Sequence, residues 1–300
     1  MARSLLSLTQ LRPGELRELL TRASLLNLGP APQLSSSSAV PVLCASARPY
    51  ARWAVEAGLS RLGLRASVFQ PVEVDALGDG AAAGGTMGST SCGIVLVGWT
   101  AERAVAFAAA APVPVLAIES GAGDPLGALA DLLVLERVAA LPTHRICVVG
   151  DPSPRAIDAS VALASLGASV AFAHPVGFAP DPERLTLVRE RAAAAGGAVL
   201  DTTELIEGLR DASAVIVEPW PEGEAERFRP IAVQRHQLRV VRAGCGILHR
   251  QPERRGAELS ASLLDDAAWW APQQRALAPL AAAALVQSMF SPDPWRSVIG

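Results

Sequence analysis

Three hundred residues are enough for one large or two ordinary α/β domains, and a chain of this length buries about three quarters of its extended surface. A net charge of −3 and an isoelectric point near 5.9 supply no broad basic field, which argues against nucleic acid or an anionic membrane as partner. Half the residues are apolar but only 4% are aromatic, so the mean hydropathy of +0.30 points to alanine-rich, closely packed helices.

After Met1-Ala2-Arg3 the chain sets Leu16, Leu19, Leu20 and Ala23 at helical spacing, with none of the apolar block of a signal peptide, so a cytoplasmic protein is expected. A polar break at 35–38 precedes a short apolar run at 39–44 of the kind that makes a buried parallel strand. A helix follows at about 52–62 and a strand at 66–69. A Gly/Ala/Thr/Ser loop runs on through Ser91, and its segment 78–88 is expected to be mobile, like the last ten residues. The alternation resumes with strand 94–97, helix 101–110, strand 115–118 and helix 126–138.

Pro142 marks a second unit. Its opening strand, 145–149, runs into Gly150-Asp151 and a helix near 157–166; further strands are expected at 169–173, 198–200, 214–217 and 246–248, with helices near 182–194 and 204–209. Strands separated by single helices imply right-handed parallel crossovers, hence two doubly wound parallel sheets that bind ligands at their strand C-termini. The expected site is a cleft between the domains that takes a small-molecule ligand. Residues 276–286 are too few for a bilayer and include Pro279, so they read as a packed helix. Cys44, Cys92, Cys147 and Cys245 lack metal-ligand spacing, and neither a metal nor a cofactor is expected.

Four stretches occur in one order: Asp124-Pro125-Leu126-Gly127-Ala128-Leu129-Ala130-Asp131, Gly150-Asp151, the run from His249-Arg250-Gln251-Pro252 to Arg255-Gly256-Ala257-Glu258, and Gln274-Arg275. Together they resemble the ornithine and aspartate carbamoyltransferase family, from about Ser4 to about Met289. The resemblance implies a carbamoyl-phosphate-binding-like domain at 1–140 and an amino-acid-binding-like domain at 141–272. It also implies a C-terminal segment, 273–300, whose helix crosses back to the first domain, and a homotrimer, or a hetero-oligomer with another family member.

The motifs that carry the family's chemistry depart from its pattern. Where the family holds phosphate with Ser-Thr-Arg-Thr-Arg at a helix start, an ungapped frame gives Arg48-Pro49-Tyr50-Ala51-Arg52. Pro49 lacks an amide donor, Tyr50 replaces a guanidinium and Ala51 lacks a hydroxyl. A frame shifted to bring Ser46 and Arg48 over the first and third positions restores two groups but requires an insertion afterwards. Arg52 and Glu56 also have the spacing of an ordinary helical ion pair. A second family arginine matches Val97, and the family's His-Pro-Cys-Gln matches Asp124-Pro125-Leu126-Gly127. Asp124 is a candidate general acid or base, or simply the N-cap of an Asp-Pro helix start.

In the second domain the paired asparagines of ornithine carbamoyltransferases are missing after Gly150-Asp151, where Pro152-Ser153-Pro154-Arg155 stands. The family's Asp-x-Trp-x-Ser-Met-Gly loop becomes Glu218-Pro219-Trp220-Pro221-Glu222-Gly223. Glu218 keeps a carboxylate for an ammonium, and Trp220 packs or serves as a lid residue. His-Cys-Leu-Pro becomes His249-Arg250-Gln251-Pro252, so either His249, Arg250 and Arg275 form a cationic wall for a carboxylate, or His249 and Pro252 merely shape the loop.

Three functions follow. One is a repurposed enzyme, with Asp124, Glu218 and His249 moving protons and Arg48, Tyr50, Arg52, Arg155, Trp220, Arg250 and Arg275 lining the site for a small carboxylate-bearing ligand. Another is a non-catalytic partner that assembles with or regulates another enzyme. The third is a carbamoyltransferase acting on an unusual amino-acid or amine acceptor.

Overall fold

Contacts divide the chain into two units, one running to Leu133 and resuming at Leu277, the other spanning Val134–Ala276. The structure is a computed structural model that describes residues 3–29, 34, 39–76, 80–250, 254 and 256–291.

The first unit runs α1 (Pro13–Leu28), β1 (Val40–Cys44), α2 (Pro49–Arg61), β2 (Ala66–Phe69), α3 (Pro71–Ala76), α4 (Gly80–Gly88), β3 (Ile94–Val97), α5 (Ala101–Ala110), β4 (Val115–Ile118) and the start of α6 (Pro125–Val138). Its strands form a parallel sheet in the order β2-β1-β3-β4. β1, β3 and β4 are buried along their whole length, the signature of strands covered on both faces, while the edge strand β2 is only half-buried. The order reverses between β1 and β3, which makes the space beyond those two strand ends the place for a ligand in this unit.

The second unit contains β5 (Arg145–Val149), α7 (Pro154–Ser165), β6 (Ser169–Ala173), α8 (Pro182–Ala195), β7 (Val199–Thr202), α9 (Leu205–Leu209), β8 (Ala214–Val217), α10 (Ala225–Phe228), β9 (Gly246–His249) and the first turns of α11 (Ala271–Phe290). All five strands are parallel in the order β7-β6-β5-β8-β9, so the reversal falls between β5 and β8. The core on one face of this sheet gathers Val149, Ala173, Val217 and Ile247 with Phe228, Leu209 and Leu263.

One expectation fails. The Gly/Ala-rich stretch up to Gly88 is not a loop: Ala82 to Met87 lie in α4, and α3 precedes it. Gly84 and Gly88 serve close packing rather than chain flexibility. A Cβ on Gly84 would sit 3.2 Å from the Ala111 Cα, and one on Gly88 would sit 2.9 Å from the Pro112 ring. Alanine, the best helix former, supplies the rest. Residues 77–79 and 292–300 lie outside the described residues, so the expectation of mobility there has no structural counterpart.

α11 keeps Ala281, Ala282, Ala283 and Ala284 fully buried. In the first unit it touches α2 backbone to backbone: a Cβ on Gly58 would lie 2.7 Å from the Ala282 Cβ, 2.8 Å from the Ala283 nitrogen and 3.0 Å from the Pro279 carbonyl. Two of those atoms are main chain and cannot swing aside. Gly58→Ala should therefore cost about 1–3 kcal/mol as overpacking, only partly offset by better helix propensity. A urea melt in which this variant matches or exceeds the wild type would contradict the contact. No helix among the described residues is long and apolar enough to cross a membrane.

Candidate functional site

In the first unit the polar groups converge where β1, β3 and β4 end. β1 leaves through Ser46 and Arg48, and Pro49 starts α2 with no amide proton to offer. β3 ends in Val97, fully buried, then Gly98 at φ +73. Ser46 Oγ donates to the Gly98 carbonyl over 3.1 Å, and a Cβ on Gly98 would meet that hydroxyl oxygen at 2.1 Å. A left-handed glycine here therefore lets the two strand ends close on each other.

β4 delivers two carboxylates. Glu119, in the left-handed region at φ +45, brings its Oε2 3.3 Å from the Arg48 Nε. Asp124 is 3% exposed and its Oδ1 accepts from the amides of Glu119 and Gly127, each at 3.2 Å. The second of these bonds caps α6 just before Pro125, the helix-start role that the Asp-Pro pair allows. Arg52 bonds Glu56 on its own helix, Nε to Oε1 2.6 Å, and Tyr50 is 58% exposed. Of the sequence candidates in this unit, Arg48 and Asp124 thus meet around Glu119, and Arg52 turns to Glu56.

In the second unit Glu218 and His249 follow adjacent strands; Val217 and His249 are partners in the β8–β9 register. Both are buried, at 0% and 1% exposure. Gly150, at φ +121, is held open against Glu218: a Cβ there would come 3.1 Å from the Glu218 Cβ. Glu258, also buried, places its Oε2 3.8 Å from the His249 Nε2, and its Oε1 accepts the Trp220 amide at 3.4 Å. Its backbone is stitched to Val233, whose amide donates to the Glu258 carbonyl at 2.9 Å. His249 is thus a buried partner of a carboxylate rather than part of an open cationic wall.

Three more ionisable groups continue this row. His174, just after β6, has its Nε2 2.9 Å from Asp201 Oδ1 on β7 and its Nδ1 2.9 Å from the Pro175 carbonyl. Asp151 follows β5. Burial pushes its carboxyl above the usual value, with the nearby His174 pulling partly back. Taken in strand order the edge reads Asp201, His174, Asp151, Glu218, His249. Sequence motifs pointed to Asp151, Glu218 and His249, and the run that begins at His249 ends in Glu258; His174 and Asp201 were missed. The available signal was position, since residues at the C-terminal ends of parallel strands face the ligand side.

Because the folded-state value of Asp151 lies above the unfolded one, its relative contribution to stability is fully present below the ordinary value of 3.8 and is lost as pH rises through the raised folded value. Asp151→Asn should accordingly raise the melting temperature at neutral pH, and the gain should fade under acid conditions. A gain that persists unchanged in acid would exclude this origin.

The remaining candidates are dispersed over their elements. Arg155 is buried on α7, whose start is capped by Ser153 Oγ accepting the Ala156 amide at 3.1 Å. Trp220 leans on Phe228, ring centroids 6.2 Å apart, and so belongs partly to the core. The Arg250 amide extends the ladder to the Val217 carbonyl at 3.4 Å, and Arg250 and Arg275 are both half-buried. Gln251, Pro252, Glu253 and Arg255 lie outside the described residues, and Arg254 is exposed. Among the described residues no three His, Cys, Asp or Glu side chains group as metal ligands.

Residues 143–276 match the family description "Aspartate/ornithine carbamoyltransferase, Asp/Orn binding domain". The ornithine carbamoyltransferase of Acidothermus cellulolyticus is 30% identical over 283 residues, covering 88% of this chain and 89% of that protein. This chain belongs to the aspartate/ornithine carbamoyltransferase family. Two solved structures show the same fold. Ornithine carbamoyltransferase from Pyrococcus furiosus superposes with a TM-score of 0.90 at 21% identity, covering 95% of this chain and 96% of that one. A mitochondrial ornithine carbamoyltransferase from Coccidioides immitis gives 0.92 at 19% identity, with 99% and 100% covered. The two parallel-sheet domains therefore have the carbamoyltransferase fold, and the matched domain is the one that carries Glu218, His249 and Arg250.

Proposed function

We propose that this carbamoyltransferase-family protein no longer carries out carbamoyl-phosphate-dependent transfer and instead takes another small, carboxylate-bearing ligand. The observation that supports this reading is the Arg48–Glu119 ion pair. An internal carboxylate occupies the guanidinium nearest the β1 exit, where the family receives a phosphate. Asp124 adds a second carboxylate beside it and Val97 contributes no charge, so the strand ends of the first unit repel a dianion rather than attract one.

In this reading Arg250 and Arg275 receive the ligand's carboxylate, Glu218 receives an ammonium, and His249, backed by Glu258, moves a proton. The assembly is a cytoplasmic homotrimer or a hetero-oligomer with a family member.

A second reading is favoured by the names of the relatives, which are ornithine carbamoyltransferases. It keeps carbamoyl transfer, to an amino-acid or amine acceptor. Thermal denaturation separates the two, since a ligand at about 100 times its dissociation constant stabilises by roughly 2.7 kcal/mol. Millimolar carbamoyl phosphate should leave the wild-type melting temperature unchanged, whereas Glu119→Gln, which releases Arg48, should acquire a small upward shift. A clear shift in the wild type would establish the second reading. A screen of amino acids and keto acids, repeated with Arg250→Ala and Arg275→Ala, then tests the ligand class, because a genuine hit disappears in both variants.

A further inference from the structure

Outside the strand-end clusters, the second unit carries a surface pocket of about 570 Å³ lined by Gln234, Arg235, His236, Arg239, Ser260 and Ser262. None of these residues belongs to the family motifs. It is an open depression whose lining side chains are basic, hydroxyl-bearing or amide-bearing.

Two segments build it, and the fold holds them together. One is the 3-10 helix Arg235–Val240, entered through a reciprocal pair of Gln234 and Gln237 bonds. The other follows the short parallel bridge between Val233 and Leu259, closed by the Ser260 amide donating to the Val233 carbonyl at 2.9 Å. Arg235 is anchored by Asp266 at 2.6 Å and also donates to the Ser262 carbonyl at 3.3 Å. Asp266 therefore offsets one cation. Arg239, exposed one turn further on, makes no ion pair with any described residue, and His236 is exposed beside it.

We propose that this pocket binds a small phosphate-bearing anion. A tetrahedral oxyanion with several terminal oxygens suits guanidinium, imidazole and hydroxyl donors brought together from two segments. The site is independent of the reading proposed for the strand ends. It also touches them: Glu258, the residue before the bridge, faces His249. An anion bound between Arg239 and Ser260 would therefore hold the backbone that positions the Glu258 carboxylate.

Calorimetric titration with pyrophosphate at constant ionic strength tests this. The full-length wild type should bind saturably with a dissociation constant below about 1 mM. Arg239→Gln should weaken binding at least about tenfold, the loss of one charge-assisted contact. Ser262→Ala, which leaves the Arg235–Asp266 anchor in place, should weaken it less, and Arg229→Gln, paired with Glu226 outside the pocket, should not change it. Absence of saturable binding overturns the proposal, as does an unaffected Arg239→Gln. Binding abolished by Arg48→Gln instead would move the ligand to the first unit's strand ends, and citrate bound as tightly as pyrophosphate would reject the phosphate class.

Discussion

Supplied with carbamoyl phosphate and ornithine, the purified protein should form citrulline at least about three orders of magnitude more slowly, in kcat/KM, than an enzyme with the family's full motifs. The magnitude follows from counting contacts. In the proposed reading, Pro49, Tyr50 and Ala51 stand where the ungapped frame puts the family's phosphate donors, and a hydrogen bond to a charged group is worth about 1.5–3 kcal/mol. Three such losses amount to roughly 4.5–9 kcal/mol, a factor of about 10³ to 10⁶ in transition-state stabilisation. Against this, Arg48 offers a single guanidinium already engaged by Glu119. A colorimetric citrulline assay decides the matter, and a rate within tenfold of a typical member would sink the proposed loss of transfer.

The largest expected effect on stability belongs to Gly246→Ala. Gly246 opens β9, and a Cβ there would lie 1.9, 2.0 and 2.3 Å from three atoms of the Trp270 indole. The ring has little room to retreat, because the Trp270 amide donates to the Ile247 carbonyl at 2.9 Å and the Ile247 amide to the Ala268 carbonyl at 2.7 Å. Replacing glycine inside a strand gains roughly 0.5–1 kcal/mol of backbone entropy. Overpacking costs about 1–3 kcal/mol, and a rigid ring held by main-chain bonds puts this site at the upper end. The net loss should be about 2 kcal/mol or more, measurable by chemical denaturation. Trp270→Ala should cost a few kcal/mol on its own by leaving a cavity. The double variant should then be less damaged than the sum of the two, a coupling characteristic of residues in direct contact. Additive losses would show that the close approach is not the cause.

The alternation of apolar runs with helical spacing placed every strand of both sheets, because buried parallel strands are continuous apolar segments such as Ile94–Val97 and Ala214–Val217. The same signal could not find α4, where glycine and alanine carry no apolar stripe and the helix exists through close contact with Ala111 and Pro112. Short 3-10 segments such as Arg235–Val240 were equally invisible, being fixed by tertiary contacts rather than by periodicity. Within the candidate site, Arg52–Glu56 was legible from spacing alone, since both partners sit on one helix. Arg48–Glu119 was not, because its partners are far apart in the chain and are joined only by the order of the strands. His174 with Asp201, on neighbouring strands β6 and β7, was hidden for the same reason.

On the proposed reading, the closure of Ser46 onto Gly98, with Arg48 paired to Glu119 alongside, also sets the order in which a phosphate site can be built at these strand ends. Installing arginine at Val97 first would drive a cation into a fully enclosed position and harm folding before any benefit arrived. Neutralising Glu119 beforehand leaves the chain intact and vacates the strand exit. Laboratory evolution toward carbamoyl phosphate should therefore fix a change at Glu119 early and a cation at Val97 late, and the reverse itinerary should stall.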